Sequence, residues 1–230
     1  MASVTDVQTG TPGATGSNAR RRGEAGGPGG PGGAATSTVV DGLTGGEGND
    51  ALTLLGQASG GKGGKGGSGN SGVLSQGGEG GRGGNAVQQI GSWTSSGREW
   101  TTVTTARLEG GLGADTLTVA SSAVGGEPGL PGSRRGPAGW QTGTAASLVA
   151  AQVLGGAGTD TINVTGAATG LDATLIADLA VDGGTDADRI SLNYSAQGVG
   201  APQQYWTPTT ARVTMTGTVD GGAGDDAVTR

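Results

Sequence analysis

The chain contains no cysteine, no histidine and no phenylalanine. Without cysteine there is no disulfide framework, no thiol nucleophile and no thiolate metal site. Without histidine the Ser-His-Asp type of triad, the commonest general base and most zinc sites are excluded. Aromatic residues make up 3% of the chain and the apolar set only 32%. Ordering each residue costs about 1–2 kcal/mol of backbone entropy, and little bulky apolar surface is present to offset it. Two solutions remain: disorder, or a repetitive fold in which each unit buries a thin strip against its neighbour. No run of roughly 18 apolar residues occurs, so no membrane span is expected. The start, MASVTDVQTG, has neither a basic region nor an apolar stretch, and does not read as a signal peptide of the Sec type.

What the chain has instead is glycine, 54 of 230 residues, about three times the usual share of ~7%. The glycines fall into two patterns. In the first, a glycine pair, a short spacer, an aspartate and an alternating segment recur as GGEGNDALTL from Gly45, GGLGADTLTV from Gly110 and GGAGTDTINV from Gly155. GGTDADRISL from Gly183 and GGAGDDAVTR from Gly221 complete the set. The aspartates Asp50, Asp115, Asp160, Asp188 and Asp226 are 65, 45, 28 and 38 residues apart, which is no fixed period. Their flanks repeat more faithfully. STVVDGLT, TTVTTARLE, SLVAAQVL, ATLIADLAVD and ARVTMTGTVD precede the motifs, and apolar residues two apart follow them, as in Leu117/Val119 and Ile162/Val164. Such alternation predicts half-buried strands. Each unit reads as strand, glycine–aspartate turn, strand and variable return loop. Stacked units predict an all-β fold, a parallel β-solenoid. An antiparallel meander is the competing reading, but a hairpin turn needs no aspartate at a fixed offset.

Gly45–Leu52, Gly110–Leu117, Gly155–Ile162 and Gly221–Val228 resemble the RTX nonapeptide, GGxGxDxUx with U a large aliphatic residue. The fourth copy departs from it, with Asp186 where the third glycine would stand. The resemblance implies a β-roll whose turns hold Ca²⁺ through the aspartate and turn carbonyls. Carried over, the metal-site residues are Asp50, Asp115, Asp160, Asp188 and Asp226, with Gly45, Gly110, Gly155, Gly183 and Gly221 opening the turns. Hard oxygen ligands suit Ca²⁺. Here each unit carries one motif rather than the tandem pair of the family, so one edge at most would bear ions. The alternative is a turn ladder satisfied by its own hydrogen bonds, without metal. The resemblance also implies export by type I secretion to the cell surface or beyond.

The second glycine pattern has period three. Glycines fall at 10, 13, 16 and 23, 26, 29, 32, then at 60, 63, 66, 69, 72 and 78, 81, 84. A third set lies at 126, 129, 132 and 136, 139. Three residues per turn is the period of a polyproline-II rod, and each loop contains two such runs around a turn. The arrangement resembles the polyglycine-II bundles of phage tail adhesins and of an antifreeze protein; flexible linkers are the alternative. One domain over 1–230 follows, with coils around 37–55, 101–119, 145–165, 172–194 and 211–230. The glycine-rich hairpin insertions fall at 10–36, 56–99 and 120–144.

Net charge is −6, but the coils hold 15 of the 19 acids and 4 of the 13 bases, while the insertions hold four acids and nine bases. Arg20, Arg21 and Arg22, with Arg134 and Arg135, cluster at hairpin tips and are candidate partner-binding residues. They suit an anionic surface polysaccharide or an acidic face of another copy, and equally serve as solvated tips. Nucleic acid is disfavoured by the negative total and scarce aromatics. The chain opens on one alternating strand, SVTDVQT, and stops inside a fifth unit, so its two ends read as complementary: a head-to-tail homopolymer, or a fragment of a longer protein. The leading expectation is an extracellular calcium-stabilised structural subunit forming a surface fibre or layer; the alternative is an adhesin acting through the basic tips. Ice binding is weak, because Asn163, Arg189 and Ser191 interrupt the threonine column. No enzyme is expected, since the turns already account for the aspartates.

Overall fold

The computed structural model describes the chain except for residues 21–23, 71–76, 97–98, 133–140 and 201–208. The described residues form fifteen strands, numbered β1–β15 in chain order, and no helix. One sheet runs β1 (Ala2–Thr9), β4 (Ala51–Ser59), β9 (Thr116–Val124), β11 (Thr161–Gly170), β13 (Arg189–Gly198) and β15 (Ala227–Thr229). A second runs β14 (Thr210–Asp220), β12 (Asp172–Thr185), β10 (Ala145–Ala157), β5 (Ala86–Ile90) and β2 (Ala35–Val39). β8 (Ala106–Leu112) and β3 (Leu43–Thr44) branch from it beside β10. Every pairing in these two sheets is parallel. β6 (Ser92–Ser96) and β7 (Glu99–Thr104) make a separate antiparallel pair.

The expected β-solenoid is therefore corrected. The strands form two open parallel sheets and one hairpin, and neither parallel sheet closes on itself. The unequal repeat length supplies a physical reason. The first two motif aspartates are 65 residues apart, and after β4 the interval contributes β5, β6, β7 and β8 rather than one uniform rung. β10 consequently faces two short strands on one side, β5 along 145–149 and β8 along 151–157. TTVTTARLE, expected as a single strand, divides between the hairpin and the second sheet.

The strands form where alternation is strict. β11 and β9 bury every second residue, placing Ile162, Val164, Leu117 and Val119 inward at full burial. Facing them from the second sheet are Val149, Val153, Leu175 and Leu179, in one shared cluster. This thin double layer is the core. Each buried Leu, Ile or Val adds about 1.5–3 kcal/mol. In-register parallel pairing stacks like on like: Leu52, Leu117, Ile162 and Ile190 make one column.

At the ends of the strands the glycine runs take over the ladder. Gly10, Gly13 and Gly16 donate N–H bonds to the carbonyls of Ser59, Lys62 and Lys65, continuing the pairing of β1 with β4 at three-residue steps. Gly61, Gly64 and Gly67 donate to Gly33, Gly30 and Gly27, which belong to the returning run that leads into β2. Gly126, Gly129 and Gly132 donate to Gly84, Gly81 and Gly78. The three-residue step is that of a polyproline-II rod, and here the rods bond one another in place of water.

Candidate metal site

The glycine–aspartate motifs lie where the second sheet hands the chain to the first, and parallel register stacks them. The backbone N–H of Asp50 donates to Asp115 Oδ1 at 2.7 Å. Asp115 N–H donates to Asp160 Oδ1 at 2.8 Å, Asp160 N–H to Asp188 Oδ1 at 2.7 Å, and Asp188 N–H to Asp226 Oδ1 at 2.9 Å. The aspartate carbonyls accept from the following unit, as in Thr116 to Asp50 at 2.8 Å and Thr161 to Asp115 at 2.9 Å. All five sequence-predicted aspartates thus stand in one row. One carboxylate oxygen of each of Asp115, Asp160, Asp188 and Asp226 is used by the neighbouring backbone.

The other oxygen is different. Oδ2 of Asp115, Asp160 and Asp188 is buried and has no hydrogen-bond partner. In Asp50, at the start of the row, Oδ2 accepts from Gly46 N–H at 2.9 Å. A buried carboxylate oxygen without a partner is costly. Burial, together with the neighbouring Asp115, Asp188 and Asp186 carboxylates, pushes Asp160 up to about 6, although the bond from Asp115 N–H works the other way. Asp188 is raised as well, chiefly by burial, with Asp226, Asp186 and Asp182 adding to it. For Asp160 and Asp188 this setting favours either a proton or a neutralising cation.

The five leading glycines let the turns stack closely: a Cβ on Gly45, Gly110, Gly155 or Gly183 would meet the carbonyl oxygen of the next motif's first glycine at 2.2, 2.3, 2.1 and 2.2 Å. A Cβ on Gly110, Gly155 or Gly183 would stand 2.5, 2.6 and 2.6 Å from Oδ2 of Asp115, Asp160 and Asp188. Gly45 and Gly221 stand in the same relation to Asp50 and Asp226, at 2.7 and 2.6 Å. The fourth motif position, that of the third glycine, needs a left-handed backbone: Gly48, Gly113, Gly158 and Gly224 have φ of 92°, 120°, 119° and 152°. In the departing copy Asp186 adopts φ 81° there, the one non-glycine residue with positive φ among those described. The turn therefore survives the substitution.

The donor set fits a hard cation: carboxylate oxygens, desolvated and unpartnered, in turns built of backbone carbonyls. Among the described residues no three acidic side chains converge on one point. An ion here would take one or two carboxylates and complete its shell from carbonyls or water.

The basic tips are less informative. Arg20 is exposed, and its backbone N–H donates to Glu24 Oε2 at 3.1 Å. Arg21, Arg22, Arg134 and Arg135 lie outside the described residues. Residues 86–90, expected within a loop, form β5, and its Gln88 is buried in contact with Ser121, which in turn meets Ser147 at 2.5 Å. Trp93 and Trp100, on the β6–β7 hairpin, were also not singled out by motif. Two tryptophans flanking Gly97-Arg98 in SWTSSGREWTT were the available sign of a hairpin.

No family model, no curated protein and no solved structure matches the chain. No helix in the described residues is long and apolar enough to cross a membrane.

Proposed function

We propose that this protein is a calcium-stabilised structural protein of the cell exterior, whose parallel sheets extend edge to edge through further copies of the chain. The observation that carries the calcium reading is the row of three buried, unpartnered oxygens on Asp115, Asp160 and Asp188. Ca²⁺ bound there would neutralise the row and satisfy those oxygens. Asp115, Asp160 and Asp188 would hold it, in turns whose leading glycines bring a neighbouring backbone carbonyl close to each carboxylate. Sites that bind weakly fill at the 10⁻⁴–10⁻³ M calcium typical of extracellular modules. At about 100 times the dissociation constant each adds roughly 2.7 kcal/mol of stability.

Support for edge-to-edge extension comes from the last strands. Val213 and Met215 pair in register with the core residues Leu175 and Ala177, and Val228 with Ile190. Yet they are 44%, 43% and 46% exposed. Among the described residues these are inward positions of the core column left uncovered, on strands that pair on one side only. The first sheet opens at β1 on the opposite side, with the same parallel sense and no proline to block it. Such a heterologous contact makes a filament wherever the rotation between copies does not close a ring.

Negative-stain electron microscopy with about 5 mM Ca²⁺ and with EDTA tests both parts. Fibres expected in calcium should dissolve in EDTA. Fibres indifferent to EDTA remove the metal from the reading, and monomers in both conditions remove the filament.

A further inference from the structure

The outer face of the second sheet carries a cleft that shares no residue with the aspartate row. The β6–β7 hairpin lies over this face. Trp93, 8% exposed, packs with Leu148 and Ala150, and Trp100 and Ile176 border the cluster. Trp93 Nε1–H donates to the Ile90 carbonyl at 3.1 Å, which fixes the ring. Thr102 Oγ1 donates to Asp178 Oδ2 at 3.2 Å and ties the hairpin to β12. Thr216 Oγ1, on β14, donates to Asp178 Oδ1 at 3.2 Å. Between hairpin and sheet opens a cleft of about 580 Å³, lined by both tryptophans, Glu99, Asp178 and Arg212 together with threonines.

We propose that this cleft binds a neutral oligosaccharide. A sugar ring presents an apolar C–H face and a rim of hydroxyls that both donate and accept. Its site needs aromatic surface beside a few fixed polar groups. Here half-buried Trp100 supplies most of that surface, beside the small exposed part of Trp93, although the whole chain has only four tryptophans. Asp178 is an acceptor held in place by hydroxyls on both of its oxygens, with lone pairs left for ligand hydroxyls. Arg212 contributes a planar fork of donors from the neighbouring strand. The volume lies within the ~300–1,000 Å³ usual for ligand sites. Charge narrows the class. Among the described lining residues Glu99 and Asp178 outnumber Arg212 and repel a polyanionic glycan, while Arg212 opposes a cationic ligand that tryptophans would otherwise favour. The cleft opens to solvent, which suits an extended chain better than a buried small molecule.

Isothermal titration calorimetry of the full chain tests this, in calcium and in EDTA, so that the calcium reading can fail independently. The probes are the linear pentaoses of β-1,4-glucose, β-1,3-glucose and α-mannose. Oligogalacturonate and tetramethylammonium serve as anionic and cationic comparisons. At least one neutral pentaose should bind with Kd of about 0.1–1 mM. Trp100→Ala should weaken it at least about tenfold, and Asp178→Asn about fivefold. Asp178→Asn keeps an oxygen for Thr102 or Thr216, so its melting temperature should stay unchanged and it carries the test if Trp100→Ala unfolds the hairpin. Absence of heat with all three neutral pentaoses at about 5 mM, or binding that Asp178→Asn leaves intact, overturns the proposal. So does saturation by oligogalacturonate alone or by tetramethylammonium alone.

Discussion

The two halves of this molecule are ordered by opposite means. In the paired sheets, side chains do the work: columns of Leu, Ile and Val are buried between two layers, and the backbone ladder follows from their alternation. In the glycine rods there are almost no side chains to bury. Gly61, Gly64, Gly81 and Gly84 are themselves buried, and their N–H groups bond to carbonyls of neighbouring rods. The sheets tolerate substitution by volume, whereas the rods admit nothing larger than hydrogen at their contacts. Glycine pays the highest backbone entropy on ordering, so the rods depend on the hydrogen bonds between them and on the strand that each prolongs at one end.

The largest expected effect breaks the rods alone. A Cβ on Gly81 would lie 1.8 Å from the Gly30 carbonyl oxygen, a backbone atom that cannot move aside. Gly81→Ala should destabilise the chain by about 4 kcal/mol or more. Gly46→Ala, where a Cβ meets nothing within 4 Å, should change stability by less than about 0.5 kcal/mol. Thermal denaturation of the two variants side by side decides whether close rod contact, rather than glycine content, holds the bundle. In the sheets, Leu117→Ala empties a fully buried position and should cost about 2–5 kcal/mol by denaturant titration.

The aspartate row, at the opposite end of the first-sheet strands from the rods, should respond to pH and metal. Asp160 is raised from 3.8 to about 6 in the fold. The folded state therefore binds this proton more tightly than the unfolded chain. Its contribution is fully present below about pH 4 and is lost as pH rises through about 6. In EDTA, calorimetry should find a higher melting temperature at pH 5 than at pH 7.5, with a slope of up to about 1.4 kcal/mol per pH unit for this group. Calcium should reverse the order. Asp160→Asn should raise metal-free stability at pH 7.5 by about 1–2 kcal/mol and reduce the calcium increment; a variant that keeps the full increment removes Asp160 from the site. The smallest effect belongs to the rod surface. Lys62 and Glu127 pair at 2.9 Å but are 53% and 75% exposed, so Lys62→Ala should cost under about 1 kcal/mol and nothing in 1 M salt.

Much of this was legible in the chain. Alternation located the strands after each motif, and the fixed offset from glycine pair to aspartate predicted that Asp50, Asp115, Asp160, Asp188 and Asp226 would align, as their N–H to Oδ1 ladder shows. The period-three glycines marked the runs that form the rod ladder. The closed coil was not there to be read. AVQQI falls inside the expected insertion 56–99, and the structure makes it β5, with Gln88 buried against serines rather than among aliphatic residues. β6 and β7 carry the hairpin away from the ladder, and no local pattern distinguishes a strand that pairs within its sheet from one that leaves it.

The sequence by itself determined the strand period, the turn with its glycines and aspartate, and the three-residue step of the rods, because each is set by backbone geometry over a few residues. Which strands became neighbours was decided only by tertiary structure. So were the openness of both sheets, the loss of partners for three carboxylate oxygens, and the arrival of two tryptophans beside Asp178 and Arg212. Those outcomes depend on which distant segments share the limited buried area, and no window of residues contains that competition.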